Sequence, residues 1–180
     1  MLVFPGNYVF DDCSQSDVNE ELSALVVPAG VRLMSTHGAA QSVLHVGNDC
    51  TDFMQVMEGA TVEGFKFFGP SDPYTPETTL ASIRGSGSTF RFNVLYGEEH
   101  PFNAPGGSDA WALQVDSSGA TITHNTFVNQ MTGIEFTEPN GFETSVLKDN
   151  IFQDVGTPVW GVAGVSDVSE PNLVYCPNSS

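Results

Sequence analysis

The stretch that decides the fold is GATITHNTF, residues 119–127, because variants of it recur along the chain. GATVEGFKF stands at 59–67, GSTFRFNVL at 87–95 and ETSVLKDNIF at 143–152. In each, a small residue and a Thr or Ser lead into an apolar residue, an Asn follows three positions later, and an apolar or aromatic residue comes two after that. Asn93, Asn125 and Asn150 form the series, Asn172 in SEPNLVY is a degenerate further member, and Phe65 fills the slot in the first copy. Self-similarity at this period is the signature of a solenoid.

Working outward, successive Asn positions are 32, 25 and 22 residues apart. Fixed helix pairs tolerate such variation poorly, whereas stacked β-coils absorb it in their loops. Each copy therefore reads as two short strands around a bend. In the copy at 119–127, Ala120-Ile122 and Thr126-Val128 flank His124-Asn125, with Ile122 and Phe127 facing inward. Asn tolerates the left-handed backbone of a sharp bend, and its amide can bond to the Asn one coil away, giving an internal ladder. A third apolar strand precedes each copy: Phe53-Val56, Thr79-Ile83, Trp111-Val115, Gly133-Phe136 and Pro158-Val162.

Three strands per coil, an Asn at the second bend and inward stacks of like residues resemble the right-handed parallel β-helix of the pectate-lyase-like superfamily. The resemblance runs from VFPGNYVF through LVVPAGVRLMS to NLVYC. It implies an all-β, right-handed parallel β-helix of about six coils with an internal Asn ladder. A β-sandwich also has closely spaced strands, but nothing in it requires the N-x-F phrase to repeat in register.

The 180 residues, with 18 Gly, 11 Pro and 13 Phe, suit one turn-rich domain over 1–180. Met1 opens directly into LVFPGNYVF, which reads as a strand of a coil already in progress. A terminal coil needs a cap over its apolar stack, so the chain reads as a piece of a longer solenoid, or as one whose first coil is covered by a partner, a second copy or the acidic stretch DDCSQSDVNEE. No apolar run is long enough to cross a bilayer, and no signal peptide is evident. An extracellular or surface location is implied by the resemblance alone.

Against 22 acidic residues stand 5 basic ones, a formal net charge of −17. Such a field repels nucleic acid, anionic membranes and anionic polymers. Solubility and a salty environment account for much of it, since the acids are scattered over loops. Cys13, Cys50 and Cys176 make an odd count at spacings that fit no zinc signature. DDCSQSD, GNDCTD and the EEH loop are rich in oxygen ligands for Ca2+, yet none has the spacing of a calcium loop. No cofactor is assigned.

The connections at 69–79 and 97–110 are the long ones, against a tight NQMT at 129–132 and DVGTP at 154–158. Stacked at one corner, they form a wall beside the next strand. In enzymes of the superfamily this chain resembles, that corner and the outward face of the strand form the glycan-binding groove. Alternation gives an outward column of Gln55, Ser82, Gln114 and Glu135, with Arg84 and Asp116 just after the strand. Tyr74, His100 and Trp111 supply polar and sugar-stacking groups from the loops.

A glycoside hydrolase needs two carboxyl groups, which Asp116 and Glu135 supply. A calcium-dependent polysaccharide lyase would use carboxylates to hold the ion and Arg84 as base, but needs more basic residues than this chain has. The site expected from sequence is therefore Asp116, Glu135 and Arg84 for catalysis and Gln114, His100, Trp111 and Tyr74 for substrate. Two functions follow from it: a protein that binds or cleaves a polysaccharide, or a non-catalytic fibre or adhesin-like surface segment. On another face, Glu63, Arg91, Thr123 and Lys148 occupy equivalent positions, so Glu63 and Arg91 are expected to pair. His37, His45 and His124 read as structural.

Overall fold

The computed structural model describes residues 1–10, 23–47, 52–69, 78–97, 111–138, 144–161 and 172–175. They form a parallel β-solenoid in which every strand pairing between turns is parallel. The strands are β1 (Leu2–Val3), β2 (Gly6–Phe10), β3 (Leu25–Val27), β4 (Arg32–Ser35), β5 (Ser42–Val46), β6 (Met54–Val56), β7 (Thr61–Glu63), β8 (Lys66–Phe68) and β9 (Thr79–Ile83). After them come β10 (Thr89–Arg91), β11 (Val94–Tyr96), β12 (Trp111–Val115), β13 (Thr121–Thr123), β14 (Thr126–Phe136), β15 (Val146–Lys148), β16 (Ile151–Trp160) and β17 (Leu173–Tyr175).

About four complete turns are present, fewer than the six expected. They run without interruption over 25–46, 54–68, 79–96 and 111–128. The end of β14, β15 and the start of β16 continue the three columns around residues 139–143, which lie outside the described ones, and the strands at either end belong to partial turns. Each turn has three strand columns. The middle column is a separate sheet of 6 strands, β1-β4-β7-β10-β13-β15. The outer two columns are joined into one sheet because β14 passes through the corner between them without breaking. It pairs with β11 at its start and β12 at its end. The short NQMT connection makes this continuity feasible, with Asn129 turning the strand at φ 55°.

Register follows the period-2 alternation of the phrase. Leu33, Val62, Phe90, Ile122 and Leu147 stack inward from the middle sheet. Leu44, Phe67, Leu95, Phe127 and Phe152 do so from the column after the bend. Phe127 and Phe152 lie ring on ring, centroids 4.9 Å apart. Burying each such side chain stabilises the fold by about 1.5–3 kcal/mol before ordering costs.

The Asn ladder is present and includes Asn172. The Asn125 side-chain oxygen accepts from the Asn93 backbone N–H at 3.0 Å and the Asn93 amide at 3.3 Å. Asn150 and Asn172 repeat the arrangement toward the C-terminus. Each amide also donates to a carbonyl one turn back: Asn93 to Val62, Asn125 to Phe90, Asn150 to Ile122 and Asn172 to Leu147. At Phe65, which carries no amide, the ladder ends with its backbone N–H donating to Asn93.

One detail of the bend differs from expectation. The left-handed residue is the one before the Asn: Gly64, Phe92, His124 and Asp149, all with φ between 56° and 81°. Turning the backbone there leaves Asn free to point inward in an ordinary conformation, where both its amide protons and its oxygen are used.

Candidate functional site

The column before the middle sheet carries the outward residues expected from alternation. Gln55 pairs with Ser82, Ser82 with Gln114, and Gln114 with Glu135. The register extends one residue further at each end, to Val26 and Trp160. Inward, Val56, Ile83, Val115 and Phe136 are buried and fix which side chains face out.

Where this column turns toward the middle sheet, Arg84 is clamped between two carboxylates. Its Nη1 lies 2.6 Å from Asp116 Oδ2 and its Nη2 donates to Asp52 Oδ2 at 3.0 Å. Ser82 Oγ donates to the same Asp52 oxygen at 2.7 Å and accepts from Arg84 Nε at 3.2 Å. The Thr137 hydroxyl, one turn on, donates to the other Asp116 oxygen. Ser82 is completely buried beneath this network, and the Asp52 side chain is only 5% exposed. A buried carboxylate is tolerable here because hydrogen bonds and a guanidinium replace lost water.

Of the expected residues, Arg84 and Asp116 are thus brought into direct contact, and Gln114 and Glu135 are register neighbours on the same outward face. Trp111, half-buried at the start of β12, pairs with Thr79 and Thr132 on the flank of the column. Tyr74 and His100 lie outside the described residues, as do the three cysteines. One Asp116 oxygen accepts from Thr137 and the other is ion-paired with Arg84 at a geometry that makes no hydrogen bond, and an arginine flanked by two carboxylates holds its proton. The cluster is therefore built to hold its shape.

Sequence reasoning missed Asp52, Thr137 and Trp160. Asp52 precedes β6 in register with Thr79 and, in later turns, Trp111 and Thr132, none of them acidic, so no periodic signal marks it. Thr137 follows the strand and is visible only through Asp116. Trp160 was legible: it lies six residues after Asp154, as Glu135 lies six after Asn129, and both turns are tight.

The middle sheet carries a separate ion-pair ladder. Glu63 accepts from Arg91 Nε at 2.6 Å and from Arg32 Nη2 at 2.7 Å. Burial raises the Glu63 pKa, but the hydrogen bonds and charges of Arg91 and Arg32 outweigh it and hold it below the usual value of 4.5. On the third face, Lys66 sits 4.8 Å above the Phe68 ring and 5.0 Å above that of Tyr96, which stack on each other; His45 packs against Phe68. Among the described residues no group of three His, Cys, Asp or Glu is placed to hold a metal ion, and no helix is long and apolar enough to cross a membrane. Comparison of the chain with family models, curated proteins and solved structures gives no match.

Proposed function

We propose that the chain is a carbohydrate-associated β-helix protein of the pectate-lyase-like kind, holding a polysaccharide against the outward column beside the 69–79 and 97–110 connections. The observation that carries this reading is the in-register row of Gln55, Gln114 and Glu135 on a rigid parallel sheet. Gln114 and Glu135 stand one turn apart, about 4.8 Å, and Gln55 lies two turns before Gln114 with the buried Ser82 between them, a spacing that suits a ligand whose hydroxyl groups also repeat. The Arg84 clamp supports the row from one side. Binding is favoured over cleavage because Asp116 is committed to Arg84 and Thr137.

A glycan screen with the intact chain tests the reading, followed by Gln114→Ala and Glu135→Gln. Retention of a saccharide that both substitutions weaken supports it; no retained glycan, or binding indifferent to both, refutes it. Turnover assays with Asp116→Asn and Glu135→Gln address cleavage, and loss of product in both would establish a paired-carboxylate reaction. The second reading, a non-catalytic surface segment, draws on the exposed apolar pair Ile151 and Leu173 with Tyr175 beside them on the third face. Concentration-dependent self-association without glycan binding would favour it.

A further inference from the structure

Among the described residues the outward column runs to an aromatic residue. Trp160 is the register neighbour of Glu135 and is 60% exposed, so the two side chains leave adjacent strands on the face where Gln114 also points. An exposed Trp has a wide apolar surface that stacks on the C–H face of a pyranose, and a negative ring face that attracts a cation.

The charge on this face is mostly negative. On the described strands and turns of this column, Arg84 is the sole basic residue, and it is outnumbered by Asp52 and Asp116, with Glu135 one turn from Asp116. The other basic residues lie elsewhere: Arg32 and Arg91 on Glu63, Lys148 near Asp149, and Lys66 over its aromatic pair. With a chain charge of −17, this face attracts cations and repels anionic polymers.

Resting on the carbohydrate reading, we infer that the ligand is a cationic saccharide, an oligomer of hexosamine units with free, protonated amino groups. One pyranose ring lies on the Trp160 indole with its ammonium directed at Glu135, and Gln114 takes hydroxyls of the next unit. Neutral glycans would lose the charge contact. Uronate polymers would meet like charge.

The experiment is calorimetric titration of the intact chain with a glucosamine oligomer, its fully N-acetylated counterpart and a neutral glucan oligomer of equal length. The amine form is expected to bind at least about tenfold tighter than the other two, the scale of one desolvated cation contact. Trp160→Ala and Glu135→Gln are each expected to weaken it by roughly tenfold, with Trp160→Phe restoring part of the loss and circular dichroism confirming an intact fold. Equal binding of the N-acetylated or neutral oligomer overturns the cationic assignment and leaves the carbohydrate reading standing. Wild-type affinity in Trp160→Ala, or competition by polylysine as effective as that by the sugar, shows attraction by net charge alone and overturns the site. If no saccharide binds, both fall.

Discussion

Replacing Asn125 by Ala removes the middle rung of the ladder. Asn125 is fully buried, its oxygen accepts from the Asn93 backbone N–H and amide, and its own amide donates to Phe90 O at 2.9 Å and Asn150 Oδ1 at 3.1 Å. In the variant, Asn150 Oδ1 keeps the Asn125 backbone N–H, and the Asn93 amide keeps Val62 O. Three groups lose the partner Asn125 supplied: the Asn93 backbone N–H, one Asn93 amide proton and Phe90 O. At about 1–2 kcal/mol for each buried group left without a partner, the loss is about 3–6 kcal/mol, a large share of a domain's stability. Asn172→Ala is the internal control. Its bonds to Asn150 and Leu147 are only part-buried, so water replaces them and the loss is about 1 kcal/mol. Denaturant unfolding followed by tryptophan fluorescence and circular dichroism reads both variants, with coincident transitions checked because solenoids can unfold in parts. Asn125→Asp sharpens the test: ionised, it can still accept from Asn93 but cannot donate to Phe90 or Asn150. Its folded pKa is therefore raised, so relative to wild type it is most stable below the ordinary carboxylate range and loses stability as pH rises through that raised value. Asn125→Ala costing no more than Asn172→Ala would refute the ladder as a source of stability.

Further outcomes follow from individual contacts. Gly85→Ala places a Cβ 1.8 Å from the Glu58 backbone nitrogen, so the turn must open; a loss of at least about 3 kcal/mol is expected, and a wild-type melting point would contradict the packing. Arg84→Met leaves Asp52 and Asp116 facing each other without a counter-charge, for a loss of about 3 kcal/mol by denaturant titration. Arg84→Lys is expected to recover part of this but not all, because an ammonium cannot reproduce the forked contact. Because the Glu63 pKa is depressed in the folded state, its contribution is present above the usual carboxylate value and is lost as pH falls through the depressed one. Glu63→Gln should therefore flatten the acid limb of the stability profile measured against wild type.

Much of this was legible in sequence because a solenoid is nearly one-dimensional. The phrase at 119–127 and its copies set the bend, the inward residues and the Asn positions, down to the degenerate Asn172. The outward column of Gln55, Ser82, Gln114 and Glu135 came from alternation and a shared turn. The left-handed residue was misplaced by one because Gly64, Phe92, His124 and Asp149 share no side-chain chemistry; their common feature is a backbone angle.

The sequence by itself determined the β-solenoid, the ladder and the face on which polar residues gather, because each depends on contacts between equivalent positions of adjacent turns. Only the tertiary structure decided that Arg84 is held between Asp52 and Asp116 and that Ser82 is sealed beneath them. Those facts depend on how far a long side chain reaches along and across turns, and on which groups bury one another. Periodicity carries no record of either.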